Sequence, residues 1–249
     1  NPAGAHFLRD RQLVAALARA SSASAGRLVL GLGAGRGAIT AGLAATGAHV
    51  IAVERDPKLA ARLRRRFGND LKIRVAETDL RTIPLPRRDF LVVASPPFSL
   101  TTALCRRLLS DPATPLAGAE LIIQKEAARW LAGPRARDAQ MAWWSARYQI
   151  RLTRVISPAS FMPPPRVSAA WLSVRPRAVP VPARGQRLLR PILNAAYQRP
   201  ETRAGIALPD HKRQLVRAGL DPAAPITEVT ADQWHRLAVL LGGGTLAAS

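Results

Sequence analysis

Short apolar runs alternate with amphipathic stretches along the first half of the chain. Five runs have the length and composition of buried strands, and they occupy residues 27–32, 49–54, 71–77, 90–95 and 120–125. Between them, the spacing of apolar residues predicts helices near 37–46, 57–67 and 99–109. This alternation predicts an α/β fold, in which helices cover a parallel, doubly wound sheet.

The pattern changes in the second half of the chain. Two further β-rich runs, 148–157 and 167–176, follow each other without a comparable helix between them, which predicts an antiparallel pair finishing the sheet. The Pro-rich stretch PRAVPVPARG then reads as a linker. The remainder is helical, and Thr230 has the position of an N-cap. We therefore predict two domains: one at 1–176 that contains the sheet, and a small all-helical one at 177–249.

The charge of the chain indicates its class of partner. Lys and Arg number 37 against 16 Asp and Glu, a formal net charge of +21. Such a field attracts polyanions with little dependence on their sequence. An anionic membrane would also attract it, but the chain has no concentrated amphipathic basic helix. Nucleic acid is thus the favoured partner.

The rest of the composition excludes several other classes. No apolar run is long enough to span a bilayer, and no secretory pattern opens the chain. A single cysteine, Cys105, excludes an internal disulfide framework and suits a reducing compartment, so we expect a cytoplasmic monomer. The four histidines lie far apart, which argues against a metal site.

A glycine-rich turn and a carboxylate follow the first two predicted strands. Gly33, Gly35 and Gly37 would let the backbone approach a ligand at a helix N-terminus. Glu54, about twenty residues further on, could accept hydrogen bonds from both hydroxyls of a ribose. Both features occur in sites for NAD and for S-adenosylmethionine (AdoMet). The sequence is equally compatible with a glycine turn that binds no ligand, and with a solvent-exposed Glu54 that pairs with Arg55.

The third predicted strand leads into a second candidate contact. Asp79 could accept a hydrogen bond from the exocyclic amine of a bound adenine, and Leu80 could pack on the adenine face. An ordinary loop aspartate would be equally compatible with the sequence.

The fourth strand ends at Ser95-Pro96-Pro97-Phe98, which matches the [Asn/Asp/Ser]-Pro-Pro-[aromatic] pattern of enzymes that methylate exocyclic amines of bases. The N6 lone pair of adenine is delocalised into the ring, so the amine is a poor nucleophile. The Ser95 hydroxyl and the Pro96 carbonyl could accept its N–H groups and free that lone pair. Phe98 could stack on the flipped base. Alternatively, the stretch only terminates a strand, with Phe98 in the core.

These motifs together resemble the rRNA adenine-N6 dimethyltransferase family, and within it the Erm type that modifies 23S rRNA. The likeness extends over nearly the whole chain through four segments: GAHFL (4–8), SPPF (95–98), QKE (124–126) and FMPPPRVS (161–168). The resemblance implies that residues 1–176 form a Rossmann-like, class I AdoMet-dependent methyltransferase domain, which is the catalytic domain. It also implies that residues 177–249 form a helical RNA-binding domain, with a basic cleft for RNA between the two.

The resemblance also implies roles for individual residues. His6, Leu8, Gly33, Glu54 and Asp79 would contact AdoMet, joined by Gly35 and Gly37 of the glycine turn and by Ser95. The catalytic residues would be Ser95, Pro96 and Phe98.

Two positions depart from the family pattern. Gly31 stands where relatives have an acidic residue that helps to organise the methionine end of AdoMet. Ser95 stands where relatives have Asn, and its hydroxyl is shorter than an amide. The C-terminal segment 199–203 is also less basic than in relatives.

The expected function is AdoMet-dependent mono- or dimethylation of an adenine in 23S rRNA, with resistance to macrolide-type antibiotics. Three alternatives remain open. The chain could be the 16S rRNA enzyme of the same family, whose loop has Leu-Pro-Tyr after Asn. It could be an rRNA-binding or assembly factor that has lost turnover. A DNA adenine methylase would need a target-recognition insertion that is not visible here.

Overall fold

The computed structural model describes residues 6–246 of the chain. The described strands are β1 (Phe7–Leu8), β2 (Leu28–Leu32), β3 (His49–Glu54), β4 (Ile73–Glu77), β5 (Phe90–Ala94), β6 (Leu116–Gln124), β7 (Tyr148–Ile156), β8 (Phe161–Met162) and β9 (Ala169–Pro176). The described α-helices are α1 (Arg11–Ala20), α2 (Ala38–Ala44), α3 (Pro57–Phe67), α4 (Thr101–Leu109), α5 (Lys125–Leu131), α6 (Ala139–Arg147), α7 (Ala183–Ala196), α8 (Ala204–Ala207), α9 (Lys212–Arg217) and α10 (Ala231–Leu241).

A seven-stranded sheet organises the first part of the chain, with strand order β4-β3-β2-β5-β6-β9-β7. The strands from β4 to β6 run parallel, and β9 pairs antiparallel with β6. The predicted α/β fold with a parallel doubly wound sheet is therefore confirmed. The chain leaves β2 toward β3 on one side and returns to β5 on the other, which opens a crevice at the carboxyl ends of β2 and β5.

Most strands differ from their predicted limits by one to four residues, and two of these differences have a clear structural context. The third predicted strand begins at Ile73 rather than 71. Leu71 is 100% exposed because it lies in a turn closed by a hydrogen bond from Ile73 N to the Asp70 carbonyl at 2.9 Å. β6 begins at Leu116 rather than 120. Pairing with β5 extends it through the small residues 117–119, which have little strand preference of their own.

Strand β1 joins two segments that are distant in the sequence. Phe7 pairs with Met162 and Leu8 with Phe161 in an antiparallel ladder. Nearby, Asp10 caps α1 by accepting from Leu13 N at 3.0 Å. The HFL part of the N-terminal motif is thus held directly against the FMPPPRVS motif.

The chain divides into two compact units. The first comprises Asn1–Arg129 and Arg151–Arg175, and the second Trp130–Ile150 and Pro176–Ser249. The domain limits predicted from the sequence placed residues 130–150 with the sheet, whereas they cluster with the C-terminal helices. The physical reason is packing of α6 against α7 and α10, where His235 Nδ1 lies 2.9 Å from the carbonyl oxygen of Ala146.

The second unit also shows the predicted helix start. The Thr230 side chain accepts from Gln233 N at 3.3 Å, and the Gln233 side chain accepts from Thr230 N at 2.8 Å. This capping box confirms Thr230 as the N-cap of α10. Across residues 6–246, no helix is both long enough and apolar enough to cross a bilayer.

Candidate active site

One open cavity lies at the carboxyl ends of the parallel strands in the first unit. It is lined by β1, by the loops after β2, β3, β4 and β5, and by Phe161. All the site residues predicted from the sequence line this cavity except Gly37. Residues 4 and 5 of the N-terminal motif lie outside the described residues. The tertiary structure therefore brings the separate candidates into one place.

The glycine turn touches the 95–98 loop directly. Gly33 has φ +72°, and a Cβ on it would lie 3.3 Å from Pro96 Cα and 3.4 Å from the carbonyl oxygen of Ser95. The Gly33 and Ala34 amides donate to the Val53 carbonyl at 3.0 and 2.9 Å, which fixes the turn. The absence of a side chain at Gly33 lets the two loops approach each other across the crevice.

We expect Gly33→Ala to weaken AdoMet binding about tenfold or more, measured by isothermal titration calorimetry. A side chain at positive φ costs roughly 1–2 kcal/mol, and the added methyl would also displace Pro96. Gly26→Ala is the matched control, because Gly26 has φ +79° but nothing within 4 Å of its added Cβ. Equal losses of AdoMet affinity in the two variants would show that strain at any positive-φ glycine is enough to weaken binding, and that crowding of Pro96 adds nothing.

Gly35 and Gly37 pack against different parts of the fold. A Cβ on Gly35, at φ +54°, would lie 2.8 Å from Phe7 Cδ1, so β1 packs on the turn at that glycine. A Cβ on Gly37, at φ +85°, would lie 2.8 Å from Leu63 Cδ2 in α3. Gly37 is the N-cap of α2 and does not line the cavity. Its glycine is explained by packing against α3 rather than by ligand contact.

Glu54 is fixed by backbone amides. Its Oε2 accepts from Gly35 N at 2.8 Å, and its Oε1 accepts from Asp56 N at 2.9 Å. A carboxylate oxygen can accept two hydrogen bonds. Each Glu54 oxygen therefore retains an acceptor position for a hydroxyl of a bound ribose.

Asp79 is held in a more crowded network than the sequence suggested. Its Oδ1 accepts from Arg81 N at 2.8 Å and Arg81 Nε at 3.0 Å, and its Oδ2 accepts from Arg81 Nη2 at 2.7 Å. These hydrogen bonds to Arg81 lower the pKa of Asp79 to about 2. Oδ2 retains one acceptor position for an adenine amine, while Arg55 Nη1 lies 3.7 Å away.

The catalytic candidates form a strand end followed by a tight turn. Phe98 begins a 3₁₀ turn in which Leu100 N donates to the Pro97 carbonyl at 2.9 Å. Phe98 is half-buried, lines the cavity and also packs on the sheet core. Within residues 6–246, the Ser95 hydroxyl makes no hydrogen bond. The loop therefore terminates the strand and presents a free acceptor to the cavity.

His6, the residue before β1, lies beside this loop. Its ring lies 6.3 Å from the Phe98 ring, centroid to centroid, at a 33° interplanar angle. Its Nδ1 lies 2.9 Å from the Pro163 carbonyl, so Nδ1 carries the proton in this contact. The FMPPPRVS motif thus orients the His6 ring, and His6 lines the cavity.

Gly31 lies inside β2 and does not line the cavity. A Cβ there would lie 3.9 Å from the Ile51 carbonyl oxygen and 4.0 Å from Leu43 Cδ1, both ordinary contact distances. Backbone crowding at the first side-chain atom therefore does not explain why Gly31 stands where the family resemblance predicts an acidic residue.

Several residues of the cavity wall were not predicted from the sequence. Phe7 and Phe161 come from β1 and β8, and the Arg36 guanidinium lies 4.8 Å from the Phe7 ring centroid. The two motifs that contain Phe7 and Phe161 were the available signal. Nothing in the sequence, however, indicated that those motifs pair with each other.

These features fit AdoMet. The glycine turn leaves space where Cβ atoms would intrude, Glu54 offers ribose acceptors and Asp79 an amine acceptor. Leu80 is buried in the wall, as an adenine-packing residue should be. In the described part of the chain, no group of three His, Cys, Asp or Glu side chains could hold a metal ion.

The fold and the cavity define an AdoMet-dependent methyltransferase. The family model for ribosomal RNA adenine dimethylases matches residues 2–242. The chain belongs to the ribosomal RNA adenine dimethylase family, and it is therefore an rRNA adenine-N6 methyltransferase, as its resemblance to that family had implied.

Its relatives include both branches of the family. Ribosomal RNA small subunit methyltransferase A of Synechococcus sp. (strain JA-3-3Ab) is 32% identical, over 96% of this chain and 91% of that protein. The rRNA adenine N-6-methyltransferase of Bacillus licheniformis is 28% identical, over 84% of this chain and 73% of that protein.

Solved structures show the same fold. The 23S rRNA methyltransferase ErmE superposes with a TM-score of 0.79 at 25% identity, over 93% of this chain and 98% of that chain. A dimethyladenosine transferase from Plasmodium falciparum superposes with a TM-score of 0.73 at 16% identity, over 93% and 96% respectively. The second likeness concerns the fold alone.

Proposed function

We propose that this chain methylates N6 of an adenine in 23S rRNA and thereby gives resistance to macrolide, lincosamide and streptogramin B antibiotics. The observation that carries the proposal is the near full-length likeness to the 23S rRNA methyltransferase ErmE. The Pro-Pro-Phe sequence at 96–98 supports it, because the 16S branch usually has Leu-Pro-Tyr there. One or two methyl groups are compatible with the proposal.

Cofactor binding is assigned in this proposal to residues around the cavity. Gly33 and Gly35 would admit the methionine side, Glu54 would bind the ribose and Asp79 the adenine. His6 and Leu8, just before and in β1, would close the cavity on that side. AdoMet, when bound, supplies an electrophilic sulfonium methyl. No metal or covalent enzyme intermediate is needed for transfer to a nitrogen nucleophile.

The target adenine is assigned to the 95–98 loop. The Ser95 hydroxyl and the Pro96 carbonyl would accept the two N6 hydrogens, which favours a pyramidal nitrogen with an available lone pair. Phe98 would stack on the base after it has left the RNA stack. Catalysis would then consist mainly of orientation and of hydrogen bonds that strengthen in the transition state.

The second candidate function is methylation of 16S rRNA. The 32% identity with a small subunit methyltransferase, higher than the 28% identity with the Bacillus licheniformis relative, favours it. Both functions use the same chemistry, so only the RNA target separates them.

Expression in a macrolide-sensitive host tests the proposal directly. We expect raised macrolide tolerance relative to the empty vector, and an N6-methylated adenine at the drug site in 23S rRNA. A dimethylated adenine is detected by a primer-extension stop, and a monomethylated one by mass spectrometry of the RNA. In parallel, purified enzyme and labelled AdoMet are given 23S and 16S rRNA from a host that lacks its own rRNA adenine-N6 methyltransferases. Label in 16S rRNA alone, with unchanged drug sensitivity, would replace the proposal by the second candidate.

A further inference from the structure

A second cavity of the first unit lies on the helical face formed by α1, α2 and α3. Six arginines line it: Arg9, Arg11, Arg19, Arg36, Arg62 and Arg66. All six are exposed to solvent, and no acidic residue of the described chain lines the cavity. We call this surface the arginine groove.

The positive charge of the arginine groove is not compensated by ion pairs. Within residues 6–246, none of its six arginines has a carboxylate within ion-pair distance, whereas the nearby Arg64 pairs with Glu77 at 2.8 Å. Asp10, which lies between two groove arginines in the sequence, is engaged as the cap of α1. The groove therefore concentrates positive charge beyond the chain's general excess.

Two groove arginines are held in place by neutral contacts. Arg66 Nη1 donates to the Arg36 carbonyl at 3.3 Å, and the Arg66 guanidinium lies 4.9 Å from the Phe67 ring centroid. The Arg36 guanidinium lies over Phe7. Because these contacts already restrain the two side chains, anion binding costs less conformational entropy, and because the contacts are uncharged, both positive charges stay available.

The floor of the arginine groove consists mainly of small side chains from α1 and α2: Ala15, Ala18, Ala41, Gly42 and Ala45. At Gly42 an added Cβ would lie only 2.6 Å from Val14 Cγ1, so the two helices approach each other closely. Because these side chains are short, the backbone of a bound polymer would have room to lie against the two helices. With arginine as the dominant polar group, the groove is suited to phosphates rather than to base edges.

The arginine groove adjoins the active-site cavity. Arg36 and Ala38 line both. A polyanion that follows the groove would therefore arrive at the glycine turn and β1, beside the cavity that contains Ser95 and Phe98. This continuity favours the substrate RNA over an unrelated anionic ligand.

We propose that the arginine groove binds the phosphodiester backbone of the substrate rRNA, next to the segment that delivers the target adenine. This rests on rRNA methylation as the activity and not on the choice of 23S over 16S rRNA. Binding is electrostatic, independent of base sequence and sensitive to salt.

The test compares two triple variants that lose the same charge. The groove variant combines Arg11→Gln, Arg19→Gln and Arg62→Gln, and it spares Arg36 because that residue lines the active-site cavity. The control variant combines Arg74→Gln, Arg87→Gln and Arg88→Gln, three exposed arginines of the same unit that do not line the groove. Thermal melts and AdoMet titrations establish that both remain folded and bind the cofactor.

Methyl transfer to deproteinised total rRNA, containing both 23S and 16S species, gives the decisive readout. For the groove variant we expect the KM for RNA to rise about tenfold, with kcat and AdoMet affinity unchanged. The slope of log affinity against log salt should fall by about 2, since each lost phosphate contact removes roughly 0.7–0.9. The control variant should shift KM by much less and keep most of that slope.

Other outcomes would overturn the inference. Equal KM shifts in the two variants would show that only the overall charge matters, and unchanged KM in both would show that RNA does not use the groove. Lost binding to phosphatidylglycerol vesicles with unaltered RNA kinetics would assign the groove to a membrane surface. Because total rRNA contains both candidate targets, label found only in 16S rRNA would overturn the proposed function without affecting this comparison.

Discussion

Phe98→Ala is expected to lower kcat about 10- to 100-fold while changing the Kd for AdoMet less than about twofold. Stacking of a base on an aromatic side chain contributes roughly 1–3 kcal/mol, and Phe98 lines the cavity beside the 95–96 acceptors. The measurements are single-turnover methyl transfer to rRNA and calorimetry with AdoMet.

Two further variants separate stacking by Phe98 from its packing on the sheet core. Phe98→Leu keeps an apolar side chain against the core but has no aromatic face, so we expect it to be nearly as slow as the alanine variant. Phe98→Tyr keeps the aromatic face and should retain most of the activity. Equal losses of turnover and AdoMet affinity in the alanine variant would show that Phe98 supports the cofactor site and does not stack on the target base.

Ser95→Asn is expected to raise kcat about tenfold. One well-placed hydrogen bond in a transition state is worth on the order of 2–4 kcal/mol, and a longer amide side chain reaches further toward N6 than a hydroxyl. The Ser95 hydroxyl has no partner among residues 6–246 that would need replacement. Single-turnover rates with wild-type and variant enzyme on the same rRNA measure the effect.

Ser95→Ala provides the opposite change, because it removes the hydroxyl and leaves the backbone of the loop. We expect it to slow methyl transfer relative to the wild type, with AdoMet affinity retained. If neither substitution changes the rate, the Pro96 carbonyl carries the orientation of N6 by itself. The ratio of mono- to dimethylated product, read by mass spectrometry, shows whether the acceptor at position 95 also affects the second transfer.

The parallel core of the sheet was predictable because its signals are local. The apolar runs at 27–32, 49–54 and 90–95 are nearly the observed β2, β3 and β5. Strands covered on both faces are continuous apolar runs, and the glycine turn follows the first of them. Parallel strands share a carboxyl end, so the candidates at 33, 54, 79 and 95 could be placed together from the sequence alone.

The assignment of residues 130–150 was not predictable from local pattern. Helix α6 contains the adjacent tryptophans Trp143 and Trp144, both buried, and so lacks a clear polar face. Its partners, α7 and α10, lie far along the chain. Only long-range packing joins this segment to the C-terminal helices.

The partners of a charged residue inside the sheet were also not predictable from the sequence. Glu120 was read as the start of a strand, but it is completely buried in the middle of β6. Its carboxylate accepts from the Trp171 indole and pairs with Arg175, both on the adjacent β9. A buried carboxylate requires such partners, and the sequence does not show which residues will provide them.

By itself, the sequence determined the α/β fold, the methyltransferase motifs and the family, because these depend on residue periodicity and on short contiguous motifs. Tertiary structure alone decided that β1 pairs with β8 and that Arg81 takes up most of the hydrogen-bond acceptor positions of the Asp79 carboxylate. It also decided that Gly37 packs against a helix and does not line the cavity. It also gathered six arginines from three helices and their flanking loops into one groove. Such contacts join residues that are far apart in the chain, and their geometry is set by packing rather than by local sequence.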